Sequence, residues 1–383
     1  MIGSRLRTGL LYSIMTLTTL LLVGGTAWLV GFPPPARELA APAPVSAASR
    51  ANAVTAIPAP PTSPSPATPI PPDHASLPAA DEPAPPDPAA PVDAAATPTP
   101  RAAGTAPRVG VQVGHWKTEE LPDELARLRN STGTSAGGYT ELQVNLDVST
   151  RLAALLEAEG VSVDVLPATV PPGYDADAFV SIHADGSSDT TRNGFKLATA
   201  WRTSPASRML HDLMRAEYAA ATGMVWDDAI TTNMRGYYAF SYTRYTHAIT
   251  RTTPAVIVEM GFLTNPADRQ FITTQPDLIA QALANGILRY LRERDPNDGG
   301  ALIPPEPTRY LVQPAQSVPI YAAPNGNSGV IFAAPPDTRI TSFSRVGDWH
   351  EVFVRAPEPG NERVIGWVWH ADLESRTTQE PAQ

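Results

Sequence analysis

Residues 255–258 read Ala-Val-Ile-Val, and the chain continues through Glu259 into Met-Gly-Phe-Leu-Thr-Asn-Pro-Ala-Asp, ending at residue 268. A short apolar run of this kind is typical of a strand that is buried on both faces of a parallel sheet. Upstream and downstream, similar runs alternate with longer helical patterns. Strands are predicted at residues 109–113, 161–165, 178–182 and 195–200, and helices at residues 141–159, 207–221 and 278–292. This alternation predicts a three-layer α/β domain with a mostly parallel sheet over residues 108–296.

The predicted helix over residues 141–159 carries signals at both ends. Thr140 is a suitable N-terminal cap, and Gly160 is a suitable stop. Its leucines are predicted to lie near one face of the helix. These leucines are Leu142, Leu146, Leu152, Leu155 and Leu156.

The sequence changes character after a proline-rich linker at residues 297–308. Residues 309–374 contain short β-like runs that are separated by turns rich in Pro, Gly and Asn. This pattern predicts a small all-β barrel or sandwich. Residues 375–383 are predicted to be a tail.

The N-terminal third of the chain is predicted to carry no folded domain. Arg5 and Arg7 precede an uncharged run at residues 8–31 that is long enough to span a bilayer as a helix. Positive charge before the run places the N-terminus in the cytoplasm and the rest of the chain outside. The alternative is a cleaved signal peptide. Residues 32–107 are mostly Pro and Ala, with too few large apolar residues for a core, and are predicted to be a disordered linker.

The composition of the chain excludes some functional classes and some kinds of metal site. The formal net charge of −10 argues against a nucleic-acid-binding protein, which would show a basic surface. The chain has no cysteine, so disulfides and cysteine-ligated zinc are excluded. Any metal site must therefore use histidines and carboxylates.

Four titratable residues are predicted to converge at one edge of the sheet. His115, His183 and Glu259 each follow a predicted strand, and Glu141 lies in the first turn of a helix. Ligands of open α/β sheets bind beyond the carboxyl ends of the strands. Two histidines and one carboxylate would leave an open position on a zinc ion, and the second carboxylate would be free for proton transfer.

The same residues lie in four motifs, in order, that resemble those of the zinc-dependent N-acetylmuramoyl-L-alanine amidases of the amidase 3 type. The motifs are Val-Gly-His at residues 113–115, Glu-Leu-Gln-Val-Asn-Leu at 141–146, Ser-Ile-His-Ala-Asp at 181–185, and residues 258–268. The resemblance covers nearly all of the predicted α/β domain. It implies hydrolysis of the amide between N-acetylmuramic acid and L-alanine in peptidoglycan.

The resemblance also assigns roles to the four residues. It implies that His115, Glu141 and His183 are the zinc ligands and that Glu259 is the catalytic carboxylate. Two other functions remain open, namely a zinc peptidase that cuts within the stem peptides and a non-catalytic wall-binding protein.

The sequence departs from the family pattern at several places that bear on the substrate, including the two described here. Asp185 stands where the family commonly has Asn, and residues 117–138 form a long insert that could cover the site. Several basic residues could contact an acidic muropeptide, although a surface role is equally consistent with the sequence. They are Arg127, Arg129, Lys196 and Arg235.

The C-terminal segment resembles a bacterial SH3-like domain through residues 347–352, residues 366–369 and Leu373. This resemblance implies binding to peptides of the cell wall. Together with the predicted anchor, it suggests a single-pass membrane protein whose catalytic domain lies outside the cytoplasm. A secreted protein is the alternative if the N-terminal run is cleaved.

Overall fold

The structure is a computed structural model that describes residues 105–355 and 363–381. The predicted membrane segment at residues 8–31 lies outside the described residues, as does almost all of the predicted linker at 32–107. Among the residues that are described, no helix is both long enough and apolar enough to cross a membrane.

The first part of the described chain alternates strands and helices, as predicted. Its elements are β1 (Arg108–Val113), β2 (Ser135–Ala136), β3 (Tyr139–Thr140), α1 (Glu141–Ala158), β4 (Ser162–Leu166), β5 (Ala178–Asp185), β6 (Lys196–Ala198), α2 (Pro205–Thr222), α3 (Thr232–Arg235), β7 (Ala255–Phe262), α4 (Pro266–Thr274) and α5 (Pro276–Glu293). Short 3₁₀ helices at Thr118–Glu120, Asp123–Leu128 and Tyr238–Phe240 lie in the connections.

Five of these strands form the central sheet in the order β4-β1-β5-β7-β6. The first four are parallel to one another, and β6 runs antiparallel to β7. The prediction of a mostly parallel sheet is therefore confirmed. This order brings the carboxyl ends of β1, β5 and β7 side by side.

The two faces of the sheet are covered differently. Alternate strand residues such as Val111, Val180 and Val258 pack against α1, α2 and α5 in one core. The other face, which includes Phe179 and Ile257, packs mainly against loops and short helical turns. The third layer of the predicted three-layer arrangement is thus largely irregular, and parts of its connections line a cavity.

Helix α1 begins where its cap was predicted. The Thr140 hydroxyl accepts a hydrogen bond from the Gln143 N–H, and the Gln143 side chain accepts one from the Thr140 N–H, which forms a capping box. The helix ends at Ala158, and Gly160 follows with a left-handed φ of 81°. The leucines of α1 are not equally buried, since Leu146 is 37% exposed. The larger buried apolar side chains are Val144, Val148, Leu152 and Leu156, which recur every fourth residue.

The C-terminal unit is all-β apart from one short helix. Its elements are β8 (Thr308–Val312), β9 (Val318–Tyr321), β10 (Val330–Ala334), β11 (Arg339–Val346), β12 (Trp349–Arg355), β13 (Arg363–Trp369), α6 (His370–Arg376) and β14 (Thr377–Gln379). The strands form one antiparallel sheet in the order β10-β9-β13-β12-β11-β8-β14 around a separate apolar core. Strand β14 lies beyond residue 374 and pairs with β8, so part of the predicted tail belongs to the sheet.

Candidate metal centre and active site

The carboxyl end of β1 places His115 in an unusual backbone conformation. His115 has φ of 63°, in the left-handed region that non-glycine residues seldom adopt and that is often found at functional sites. The preceding Gly114 is required for close approach, because a Cβ there would lie 2.5 Å from the His183 ring. The Gly114 N–H also bonds to the Ile182 carbonyl at 3.0 Å, which ties the end of β1 to β5.

Glu141 is the first residue of α1 and points towards the ends of the strands. Its Oε2 accepts the Thr134 N–H at 2.9 Å, and its Oε1 accepts the Asn145 amide and the Ala184 N–H, each at 3.3 Å. The positive end of the helix dipole further favours the ionised carboxylate at this position. Gly133, with φ of 76°, leaves the space that this carboxylate occupies, since a Cβ there would lie 2.6 Å from Oε2.

Both histidines face this carboxylate. His183 Nδ1 lies 2.9 Å from Glu141 Oε1, and His115 Nε2 lies 3.3 Å from the same oxygen. His115 Nδ1 donates to the Ser131 carbonyl at 2.8 Å, which fixes the orientation of the ring. The two imidazoles meet edge to face, with centroids 5.0 Å apart.

The protein shifts the pKa of each of these three groups. Burial acts to raise the pKa of Glu141, but hydrogen bonds and charge from both histidines outweigh it and hold that pKa far below the ordinary value. For His115, burial acts to lower the pKa, and the interaction with Glu141 raises it overall. For His183, burial dominates and lowers the pKa. The centre therefore contains an ionised carboxylate beside one imidazole that is kept neutral.

This cluster has the donor set of a metal centre. One ligand atom from each of His115, Glu141 and His183 can be chosen so that all three lie within 4.8 Å of one another. His183 Nε2 is buried and has no hydrogen-bond partner, which is costly unless a ligand satisfies it. Two imidazoles and one carboxylate suit zinc and leave a coordination position for water. The residues predicted to be ligands thus fit a metal ion, which the structure does not identify.

Glu259 lies on β7 directly beside His183 of β5 in the strand register. Its Oε2 is buried and has no hydrogen-bond partner. Burial raises the pKa of Glu259 well above the ordinary value, the charges of Asp185 and Glu141 add to this, and Lys196 opposes them. Glu259 and the three cluster residues line one cavity. The structure therefore brings together the four residues that the sequence singled out.

Two segments form the walls of this cavity. The 117–138 insert contributes one wall, and residues 231–238, which include α3, contribute another. The lining residues from the insert are Thr118, Leu121, Arg127, Leu128, Ser131 and Thr134, and those from the second wall are Thr231, Asn233, Met234, Gly236, Tyr237 and Tyr238. No pattern in the sequence pointed to Thr231 or Asn233, because α3 is too short to show periodicity.

The four basic residues whose role the sequence did not decide, as ligand contacts or as surface residues, have different surroundings. Among the cavity-lining residues that the structure describes, Arg127 is the only Lys or Arg. Arg129 is engaged by Asp123 at 2.7 Å and by the Leu121 carbonyl at 2.8 Å. Lys196 is completely buried and forms an ion pair with Asp185, and Arg235 pairs with Glu351 of the C-terminal unit. Only Arg127 is therefore placed to meet a ligand in the cavity.

Residues 109–289 match the profile of the protein family described as N-acetylmuramoyl-L-alanine amidase. We call the matched segment the amidase domain, after the family that it resembles. This match spans the sheet apart from Arg108, both walls of the cavity and all four candidate residues, and it agrees with the enzyme class predicted from the motifs.

The amidase domain also resembles individual proteins. It is 27% identical over 177 residues to the N-acetylmuramoyl-L-alanine amidase LytC of Bacillus subtilis (strain 168), a match that covers 42% of this chain and 33% of LytC. This chain thus spans about a third of the length of that curated relative. Solved structures similar to it include an N-acetylmuramoyl-L-alanine amidase from Clostridium difficile 630, with TM-score 0.37 and 18% identity over 50% of this chain and 99% of that one. Ami1 from Mycobacterium smegmatis gives a TM-score of 0.36 and 22% identity over 49% of this chain and 97% of that one.

Proposed function

We propose that this chain is a zinc-dependent hydrolase that cuts the amide bond between N-acetylmuramic acid and L-alanine in peptidoglycan. The observation that carries the proposal is the cluster of His115, Glu141 and His183 with Glu259 on the adjacent strand. It lies within a domain that matches the amidase family.

In the proposed mechanism, His115, Glu141 and His183 would hold the zinc ion. In such centres zinc supplies polarisation of the scissile carbonyl and makes water a stronger acid. The Ser131 carbonyl and the Thr134 N–H hold two of the ligands in place through His115 Nδ1 and Glu141 Oε2. This support pre-organises the donor atoms, as partners of metal ligands do in other metalloproteins.

Glu259 is proposed to move the proton. Its unpartnered Oε2 is free to accept a proton from the attacking water and then to return it to the departing amine of L-alanine. A buried carboxylate with a raised pKa is a stronger base than one in water, which suits it to this step.

Arg127 is proposed to bind a carboxylate of the stem peptide. It projects from the insert wall, and its one hydrogen bond within the described residues is to the Tyr245 hydroxyl at 3.3 Å. The 3₁₀ helix that carries it is anchored by Leu125, which is fully buried. An arginine held in this way suits an anionic peptide better than a neutral sugar.

The bond that is cut can be identified by mass spectrometry of the products from a defined muropeptide. The amidase proposal predicts intact stem peptides with a free L-alanine amine and a free lactyl carboxylate on the sugar. Cleavage inside the stem peptide would indicate a peptidase instead. If a protein sample with a measured zinc content binds the muropeptide but releases no product, the wall-binding alternative is favoured.

The C-terminal unit is proposed to be an SH3-like domain that binds a wall peptide. Tyr321, Trp349 and Trp369 form an edge-to-face aromatic cluster with centroids 5.2 and 5.3 Å apart. Trp369 is 38% exposed, so the cluster offers an accessible apolar surface. Co-sedimentation with purified cell walls tests this, because Trp369→Ala should weaken binding while a wall-independent role would leave it unchanged.

We further propose that residues 8–31 anchor the chain in the cytoplasmic membrane and that the amidase domain lies outside. The uncharged run after Arg5 and Arg7 supports the anchor. Cell fractionation with N-terminal sequencing distinguishes the two forms: a full-length chain in the membrane supports the anchor, and a shortened chain in the medium supports a signal peptide.

A further inference from the structure

The amidase domain and the C-terminal unit are joined through a buried ion pair. The carboxylate of Glu351, on β12, accepts a hydrogen bond from the guanidinium of Arg235, the last residue of α3. The Glu351 side chain is 6% exposed and that of Arg235 is 18% exposed. No other ion pair to Glu351 occurs within the described residues, so separating the two parts would leave a carboxylate that lacks its partner.

Aromatic rings from both sides enclose the same guanidinium. The Arg235 carbon Cζ lies 4.3 Å from the Trp201 ring centroid and 5.7 Å from that of Phe343. Trp201 and Phe343 meet edge to face at 5.7 Å, and both belong to a small buried cluster with Phe353 of β12. Stacking on aromatic faces together with a carboxylate contact uses the planar shape of an arginine, which a lysine lacks.

The linker strengthens the same junction. The carboxylate of Glu306 pairs with Arg202 at 3.0 Å and with Arg251 at 3.1 Å, both from the amidase domain. Arg202 also donates to the Pro305 carbonyl at 3.2 Å. The C-terminal unit is therefore held by charge, stacking and the linker at a single site next to α3.

The residues on either side of Arg235 line the cavity. Met234 precedes it, and Gly236 and Tyr237 follow it. The Tyr237 hydroxyl donates to the Gln112 amide oxygen at 2.8 Å, and its ring lies edge to face with His183 at 5.8 Å. A continuous set of contacts thus leads from Glu351 through Arg235 and Tyr237 to a candidate metal ligand.

This wall needs support from outside itself. Helix α3 has four residues, and a single turn is far below the length at which a helix is stable alone. Two groups hold its ends in the structure, namely the Thr231 side chain, which caps the N-terminus, and the Arg235 pairing at the C-terminus.

We propose that the C-terminal unit braces the 231–238 wall of the active site through Glu351, and that Arg235 is a positioning residue for the reaction. The expected loss of catalytic activity rests on the proposed function, whereas the expected loosening of residues 231–238 does not. The C-terminal unit then has a second role besides binding a wall peptide. Its contact with Arg235 holds residues 231–238 in position in the cavity wall.

The test uses the full chain with the variants Arg235→Met, Glu351→Gln and both together. Hydrogen exchange of the peptide containing residues 231–240 should become faster in each single variant, and kcat/KM should fall by about tenfold or more because a small misplacement of a positioning wall is costly. The double variant should lose no more than either single variant, since both changes break one contact. Arg235→Lys should recover part of the loss.

Asp348→Asn is the matched control, because it removes a carboxylate charge of the same unit whose pair, with Arg345, is exposed. It should leave exchange and kinetics unchanged. If the Arg235–Glu351 pair only stabilises the fold, the variants should exchange faster across both domains, and the kcat/KM of the folded fraction should not change. That result would overturn the proposal. Unchanged exchange at residues 231–240 in both single variants would also overturn it. If the unmodified chain hydrolyses nothing, the proposed function fails, and the exchange experiment still decides whether the brace exists.

Discussion

Two clusters of buried charge share strand β5, which carries both His183 and Asp185, and they differ in whether the protein itself compensates the buried groups. In the cluster of His115, Glu141 and His183, the Nε2 atom of His183 is buried without a partner. In the second cluster, the Nζ atom of Lys196 also has no hydrogen-bond partner, but its charge pairs with Asp185 and lies 3.6 Å from Asp227. In the first cluster a ligand would satisfy the buried imidazole nitrogen, whereas in the second cluster opposite charges compensate one another within the protein.

The second cluster also contains Arg192, which pairs with Asp227 at 2.8 Å. It therefore combines two cations with two carboxylates. Lys196 is fully buried, which is rare for lysine unless its charge is paired. The comparison indicates that the first cluster serves chemistry and the second serves the fold, and the following experiments test that division.

The largest effect is expected for Glu259→Gln. Replacement of the proton-transferring carboxylate should lower kcat by about 10²–10⁴-fold, the usual contribution of general acid–base catalysis. Zinc content should not change, because Glu259 is not one of the proposed ligands. Steady-state kinetics and metal analysis on the same preparation check both points, and the exposed Glu157→Gln serves as a control. Full activity in Glu259→Gln would remove the role assigned to it.

Lys196→Met should mainly destabilise the fold. Removing one partner of a buried pair leaves Asp185 uncompensated and should cost about 3–5 kcal/mol in the free energy of unfolding. Urea titration measures this, and adding Asp185→Asn should restore part of the loss. The partly exposed Lys117→Met should change the value by less than about 0.5 kcal/mol. If Lys196→Met is as stable as the parent, the second cluster does not serve the fold.

Zinc should stabilise the chain through the first cluster alone. Free zinc at a hundred times its Kd should add about 2.7 kcal/mol to the free energy of unfolding, because it binds the folded state. His183→Ala should abolish this gain, while Lys196→Met should retain it. Equal stabilisation of His183→Ala would show that the metal binds elsewhere.

The smallest effect is expected for Arg127→Gln. Loss of one charge-assisted contact at a partly exposed site should raise KM by about tenfold, with kcat little changed. This corresponds to a loss of about 1.4 kcal/mol in binding free energy. A muropeptide whose stem carboxylates are amidated should bind both forms equally. Arg151→Gln is the control, since Arg151 pairs with Asp147 and Asp277. A lowered kcat with unchanged KM would argue against carboxylate binding.

The sequence was sufficient to locate the residues of the first cluster. Because parallel strands end at one edge, His115, His183 and Glu259 were expected near one another after three predicted strands. In the structure His183 lies within β5 and Glu259 within β7, because both strands extend further than predicted, and these residues still line one cavity. The cap at Thr140 fixed the start of α1 and hence the position of Glu141. Helix α4 was missed although a signal was present, since Asn265 caps it and Pro266 occupies its first position.

The second cluster and the domain junction could not be predicted from local patterns. Lys196 lies in a run that reads as a strand, and nothing near it shows that Asp185 and Asp227 compensate its charge. Arg235 and Glu351 are separated by 116 positions, so only the folded chain brings them together. Long-range pairing of this kind leaves no periodic signal in the sequence.

The most direct test of the central claim is product analysis after incubating the full chain with peptidoglycan, with a chelator, and with the chelator followed by zinc. We predict release of intact stem peptides that carry a free L-alanine amine, loss of that release with the chelator, and recovery on adding zinc. Release that continues without metal, or cleavage at another bond, would contradict the claim that the first cluster is the zinc centre of an amidase.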